Sequence, residues 1–483
     1  MNAPAPGVLA PTDQATVPVA DDAVSAPPAS DGRYGLTFRP GRWIDGWNPE
    51  DRTQWEGAGR AIAARNLRWS IFAEFLGFVV WQLWSIVVVS LPAAGFAFET
   101  GQIFWLISIP ALVGATLRIP YTFMVPRFGG RNWTIASAAL LLIPATLLGF
   151  AVSNPDTPFG VMLAIAALAG FGGGNFASSM ANITFFYPQR EKGWALGLNA
   201  AGGNLGASVA QFAVPIVITI GAGVALNLPL AGWIWIPLIL VAIAGAYLRM
   251  DNLSNAKADI TASLAALKEP HLWIMSVLYI GTFGSFIGFA GVFPKLIADQ
   301  FPEFSTFAVG SASVSLAFMG ALVGSLARPY GGRLADRFGG TQITIASFAV
   351  MALGALAVIW TLPLGSFWLF LGLFLVLFTA SGVGNGSTYR MIPTIFALRA
   401  GAKNAHESAG DISSLRKSAA ALGIISSVGA YGGFIIPQLL GASKVNFGEY
   451  TTGLGWFVWA YAGMMILTAA VYLTLAKKSG HRI

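Results

Sequence analysis

Leu117-Arg118-Ile119-Pro120 leads into Val125-Pro126-Arg127-Phe128-Gly129-Gly130, and the pattern returns as Ala327-Arg328-Pro329-Tyr330 with Asp336-Arg337-Phe338-Gly339-Gly340. In each copy two arginines stand nine residues apart, and the copies are offset by 210 positions (328 − 118). The first arginine of each copy sits inside an apolar run, and the second lies just past its end. A cation placed in hydrocarbon costs ~3 kcal/mol or more, so one is seldom found there without a task. Two of them, at equivalent places in two halves, are expected to face each other across a central cavity and hold an anion.

Composition supports a membrane setting. The chain has 483 residues, 55% hydrophobic and 10% charged, with a mean hydropathy of +0.66. Soluble domains carry about 25% charged residues, so the composition points to a polytopic helical membrane protein. There is no cysteine, hence no disulfide framework, thiolate nucleophile or cysteine metal site. His271, His406 and His481 fall near expected helix ends and have no metal-ligand spacing. No nucleophile–base pair or phosphate loop stands out, so neither an enzyme nor a cofactor protein is expected. The formal charge of +7 is read as positive-inside bias, with no nucleic-acid partner.

Residues 1–66 read as a cytoplasmic N-terminal tail, disordered up to about residue 32. From 33 to 66, Arg39, Arg42, Arg52, Arg60 and Arg65 accompany Trp43, Trp47 and Trp55. That mixture suits either a segment lying against inner headgroups or an unstructured basic lead-in. Twelve apolar segments follow, each long enough to cross ~30 Å of hydrocarbon. They fall near 67–92, 101–124, 132–152, 158–186, 193–220, 230–249, 270–293, 305–330, 341–361, 366–397, 418–440 and 453–476.

Basic residues alternate between the two sides. They cluster in the N-terminal tail, at Arg127 and Arg131, Arg190 and Lys192, Arg249, Lys257 and Lys268, Arg333 and Arg337, Arg399 and Lys403, Arg416 and Lys417, and Lys477, Lys478 and Arg482. The intervening loops hold Lys295 and Lys444. This bias places both termini in the cytoplasm, in the cell's inner membrane, with the Arg-Phe-Gly-Gly stretches at cytoplasmic ends.

The 210-residue offset occurs again: Gly172-Gly173-Gly174-Asn175 is echoed by Gly382-Val383-Gly384-Asn385. The expected fold is therefore all-α, twelve transmembrane helices in two pseudo-symmetric six-helix halves (67–250 and 270–476), with a cytoplasmic linker (251–269) and tail (477–483). Paired halves of this kind place a substrate at their interface near the bilayer midplane.

Glycine runs allow helices to approach closely; most of this glycine is read as packing, and the alternative is bare backbone lining the cavity. Guanidinium is planar, forked and permanently charged, which suits a small planar oxyanion. The competing role for the arginines is pairing with an acid inside the membrane, but Glu74 is the clear acid within the spans. Arg127, Asp336 and Arg337 read as gating or structural groups at the cytoplasmic end. Tyr279 and Phe283 are four apart, hence on one helical face.

The run from Gly170 through Ser179 to Pro188 resembles the nitrate/nitrite porter family of the major facilitator superfamily. So do Gly193-Trp194-Ala195-Leu196-Gly197-Leu198-Asn199, Gly203-Asn204-Leu205-Gly206, the run Thr282 to Phe289, and Gly384-Asn385-Gly386-Ser387-Thr388. The resemblance covers all twelve segments and leaves out about the first 60 residues. It implies rocker-switch alternating access, with Arg118 and Arg328 clamping nitrate or nitrite from opposite halves. It implies that Asn204, Tyr279 and Ser387 bond the anion, that Phe176 and Phe283 sandwich it, and that Gly173 and Gly384 leave room for these contacts. It implies a protein that works as a monomer. Position 200 is alanine where some members have glycine.

Coupling stays open between proton-coupled nitrate uptake and nitrate/nitrite exchange. Two fixed positive charges favour exchange, because an empty site would be reluctant to reorient. Glu74, among Phe72 and Phe75, is a candidate proton site and tips the expectation slightly towards symport. Other small-anion transporters of the superfamily are the nearer rivals, and a nutrient sensor without transport is a more distant one.

Overall fold

With no water in the hydrocarbon, a chain this apolar satisfies its backbone by folding into helices. The structure is a computed structural model describing residues 33–220, 226–256, 260–399 and 412–479. Residues 1–32, Lys257, Lys403, His406, His481 and Arg482 lie outside the described residues, as do the side chains of Arg399, Arg416, Lys417 and Lys478.

Six spans form the first half: Arg52–Ser90, Thr100–Phe128, Gly130–Ala151, Phe159–Phe186, Gln189–Thr219 and Leu230–Arg249. The second half holds Pro270–Gln300, Phe318–Phe338, Gly340–Leu364, Phe367–Leu398, Ala420–Phe447 and Thr451–Lys477. Eleven are apolar enough to cross a membrane on length and composition alone. The eighth, Phe318–Phe338, falls short because it carries Arg328, Arg333, Asp336 and Arg337, yet its 21 residues still reach about 31 Å.

That span begins later than the sequence suggests. Segment eight was expected over 305–330, but Phe307–Val309 and Ala312–Val314 pair as an antiparallel hairpin turning at Gly310, whose φ is +62°. The apolar character there belongs to strands, with Phe304 stacked on Phe367 at 4.6 Å. The helix starts at Phe318.

Each Arg-Phe-Gly-Gly copy is a helix break. Gly129 (φ +87°) and Gly339 (φ +96°) lie in left-handed territory at equivalent positions, and the next span starts at the following glycine. The paired Gly-rich runs are close-packing surfaces. A side chain at Gly172 would strike the Gly77 carbonyl of the first span, and one at Gly382 would strike the Gly324 carbonyl of the eighth.

Residues 33–66 depart from both readings made of them. Thr37–Arg39 pairs antiparallel with Trp43–Asp45, which pairs in parallel with Asn252–Leu253. Leu36, Ile44, Trp47 and Trp55 bury themselves against Ile62, Leu67, Ile183, Phe186, Tyr187 and Leu253. Trp47 Nε1 donates to the Phe185 carbonyl at 3.1 Å, and Trp55 Nε1 to Glu191 at 3.0 Å. Buried Asp251 accepts from Arg42 (2.7 Å), Arg65 (2.7 Å) and Asn66 (2.8 Å). These tryptophans therefore face protein, and the segment forms a cap over one end of the first half. Helix is already present at Arg52, well before the expected start of the first span.

The halves are tied together by Ser208 donating to the Phe318 carbonyl (3.1 Å), Gln211 to the Ala290 carbonyl (2.6 Å) and Gln438 to Ser108 (2.7 Å). These bonds lie beyond the arginine level, on the side remote from the cap.

Candidate functional site

Arg118 projects from the second span and is fully buried. Its Nε donates to the Gly173 carbonyl at 3.1 Å, and its Nη1 to the carbonyl and hydroxyl of Ser426 at 3.0 and 2.9 Å. Gly173 belongs to the first half and Ser426 to the second, so this arginine bridges the interface. Its guanidinium lies 4.5 Å from the Phe176 ring centre, 5.1 Å from Phe283 and 5.4 Å from Trp81. Arg118 Nη2 has no partner.

Arg328, from the eighth span, is 6% exposed. Its Nη2 makes one long contact with the Tyr279 hydroxyl, 3.5 Å, and its Nη1 has no partner. Its guanidinium stands 5.8 Å from the Phe176 ring and 5.4 Å from Tyr389. The two arginines therefore converge on one phenylalanine. Among the described residues neither forms an ion pair, although burying an uncompensated charge costs several kcal/mol. Aromatic faces offset part of that cost, on the order of 2 kcal/mol per desolvated cation–π contact. The remainder makes the site a strong attractor for an anion.

The seventh span switches to π-helix over Ile280–Gly284, a local widening that recurs at functional positions. It stacks Tyr279 on Phe283 at 5.4 Å, and Phe283 on Phe176 at 6.2 Å with planes 26° apart. The predicted pair of phenylalanines is thus brought together beside Arg118, with Phe176 also near Arg328. Asn204 is buried with both amide atoms unpaired, and so is Asn175.

Other predicted residues are committed elsewhere in this state. Ser387 donates to the Gly340 carbonyl at 2.8 Å and meets Thr344 at 2.7 Å. A side chain at Gly173 would strike Trp81 and Gly114, and one at Gly384 would strike Thr282 and Ser347; both glycines make room for neighbouring helices. Asp336 is exposed and bonds Arg390 of the tenth span at 2.5 Å. Exposed Arg127 and Arg337 lie over the rings of their neighbours Phe128 and Phe338.

Glu74 is buried beside the site. Asn199 Nδ2 donates to its Oε2 at 2.7 Å, while Oε1 has no partner. A side chain at Gly203, one residue before Asn204, would collide with this carboxyl. Sequence reasoning missed Trp81, Ser426 and Tyr389: a tryptophan, serine or tyrosine in an apolar run carries no signal of its own. The partner of Asp336 was also missed.

A bundle of two repeated six-helix halves, with a buried arginine from each half at the interface, defines a secondary transporter for a small anion. Residues 73–437 match the Major Facilitator Superfamily. The chain is 43% identical over 453 residues to the "Nitrate/nitrite transporter NarU" of Salmonella typhimurium, covering 89% of this chain and 96% of that protein. It is 37% identical over 438 residues to the "Probable nitrate/nitrite antiporter NarK2" of Thermus thermophilus, covering 86% and 93%. The fold is shared with a bacterial homologue of the lysosomal transporter Spinster, at a TM-score of 0.57 and 16% identity over 86% of this chain and 97% of that one. The chain belongs to the nitrate/nitrite porter family of the major facilitator superfamily.

Proposed function

We propose that this protein carries nitrate, nitrite or both across the cell's inner membrane by alternating access, and that Arg118 and Arg328 bind the anion. The observation that carries this reading is the pair of buried, ion-unpaired guanidiniums flanking Phe176, each with a free N–H. A planar oxyanion accepts from both forks and lies against the Phe176 and Phe283 rings, within reach of Tyr279 and the unpaired Asn204 amide. The site holds one small anion and works within a single chain. The names of the relatives support the same substrate. Charge bias supports cytoplasmic termini and a cytoplasmic cap. In that orientation the bonds remote from the cap close the outer side, and Arg127, Asp336 and Arg337 serve the inner gate.

For coupling, we assign proton–nitrate symport with Glu74 as the proton site. The carboxyl is buried, has an unpaired oxygen and lies against the backbone that presents Asn204. Exchange of nitrate for nitrite is the second reading, favoured by the two fixed charges at the site. Uptake into proteoliposomes with and without internal nitrite, under an imposed pH gradient, tests both. Acid-driven nitrate uptake into empty vesicles supports symport. Acceleration by internal nitrite with indifference to pH supports exchange. Absence of flux of either anion in folded protein sinks the substrate assignment.

A further inference from the structure

Two turns beyond the anion site, the halves meet at one buried backbone carbonyl. Gln211 follows Asn204 by seven residues on the fifth span, and Ala290 follows Phe283 by seven on the seventh, about 10 Å further from the cap in each case. Pro294 stands inside the seventh span and has no N–H, so the Ala290 carbonyl loses the helical bond that position 294 would otherwise give it. Gln211 supplies a donor from the other half: its Nε2 donates to the Ala290 carbonyl at 2.6 Å. The same Nε2 donates to Ser85 Oγ of the first span at 3.0 Å, and Ser85 donates in turn to the Gln82 carbonyl at 2.6 Å. Ser85 thereby fixes the direction of the amide. Gln211 and Ala290 are both fully buried, so a carbonyl left unbonded here would carry its full desolvation cost. Next to it, a β-carbon at Gly291 would meet Ile107 of the second span at 3.6 Å and Gln82 at 3.8 Å, in ordinary contact across the halves.

We infer that Gln211 is the latch of the outer gate, an amide of one half that closes over the anion by bonding a carbonyl that a proline has freed in the other. The latch deepens the alternating-access reading given above and rests on it. When the halves part on this side, water enters and bonds the same amide and the same carbonyl. Opening therefore exchanges one hydrogen bond for another, whereas the closed state has a single well-placed donor for a carbonyl that water no longer reaches. An ion pair in this position would add a desolvation cost to closing and set charges on the path of an anion. Among the described residues, the bonds that Ser208, Gln211 and Gln438 make between the halves on this side are all uncharged. Ser208 bonds the Phe318 carbonyl, four residues before Leu322, whose N–H is available to the helix, and Gln438 bonds the Ser108 hydroxyl. Of the three, Gln211 is the one that meets a carbonyl with a proline four residues on.

The chain has no cysteine, so Gly291→Cys places a single thiol at the gate. The test adds a membrane-impermeant maleimide outside intact spheroplasts and measures the labelling rate of Gly291→Cys with and without nitrate, alone and combined with changes at Gln211 and Pro294. Gln211→Met removes the donor with little change in volume and is expected to label about tenfold faster or more. Gln211→Asn keeps an amide one methylene short of the carbonyl, is expected to accelerate labelling less, and carries the same comparison where methionine prevents folding. Pro294→Ala returns an N–H to the Ala290 carbonyl, so its addition to either Gln211 variant is expected to reverse most of the acceleration, a coupling that a packing role would not produce. Unchanged labelling in both Gln211 variants, while nitrate still alters the rate, would overturn the latch and leave alternating access standing. Acceleration that Pro294→Ala fails to reverse would assign the effect of Gln211 to packing and also overturn the latch. Labelling indifferent to nitrate in every variant, with no nitrate flux in folded protein, would overturn the alternating-access reading itself.

Discussion

The two copies of the arginine motif have the same sequence spacing but different environments. Arg118 is held by three hydrogen bonds, two of them to the opposite half, and by three aromatic rings. Arg328 has one long bond, to Tyr279, and two rings. Duplication supplied the charges, and divergence of the neighbours divided their roles. Arg118 is a fixed strut across the interface, whereas Arg328 keeps more of its hydrogen-bonding capacity for an anion. The acid follows the same division, since Glu74 and its hydrogen-bond partner Asn199 both come from the first half.

Lysine at each position breaks or sharpens this contrast most strongly. Lysine keeps the charge but not the planar fork. Arg118→Lys loses the bonds to Gly173 and Ser426 and is expected to reduce nitrate uptake by roughly a hundredfold or more, about 3 kcal/mol. It should also lower the melting temperature in detergent. Arg328→Lys is expected to raise KM about tenfold, with little change in melting. Equal effects in uptake kinetics and thermal melts would erase the distinction between strut and clamp.

Glu74→Gln comes next. It removes the titrating group while keeping a polar side chain against Asn199. Acid-driven uptake is expected to lose its pH dependence while nitrate self-exchange survives, read as uptake rate against external pH. An unchanged pH profile would remove the functional asymmetry between the halves.

The cap offers a test of stability in place of transport. Asp251 is buried, but its partners Arg42 and Arg65 are 36% and 31% exposed at the side chain. Their solvent screening discounts the full cost of breaking a buried pair. Asp251→Ala is therefore expected to cost about 1–3 kcal/mol, measured by thermal or denaturant unfolding. No change would mean that the cap is held by its tryptophans alone.

These comparisons also mark what the sequence could reveal. The twelve spans were legible because hydrophobic length is a local property, and the two-fold repeat because Arg118/Arg328 and Asn175/Asn385 share one offset. The start of the eighth span was not, since Phe307–Val314 is apolar for the sake of a hairpin. The cap was illegible because its third strand, Asn252–Leu253, lies about 200 positions further along. At the site, charges and asparagines in apolar runs stood out. Ser426, Trp81 and Tyr389 did not, because only the packing of distant helices gives them a role.

The smallest expected difference lies in the duplicated glycines. Gly129 and Gly339 have φ of +87° and +96° with ψ of 147° and 134°, a region that residues with a side chain rarely enter. Alanine at either is expected to cost about 1–3 kcal/mol from backbone strain alone. At Gly129 a side chain would also strike Asn252, which donates to the Gly41 carbonyl at 3.2 Å and accepts from the Asn132 amide at 3.3 Å, linking the third span to the cap. Gly129→Ala is therefore expected to melt earlier than backbone strain alone requires, and to recover that extra loss when Asn252 is also changed to glycine, measured against Asn252→Gly alone. Should the double variant recover nothing, the cap would have no part in the loss, and the whole cost would belong to the helix break itself.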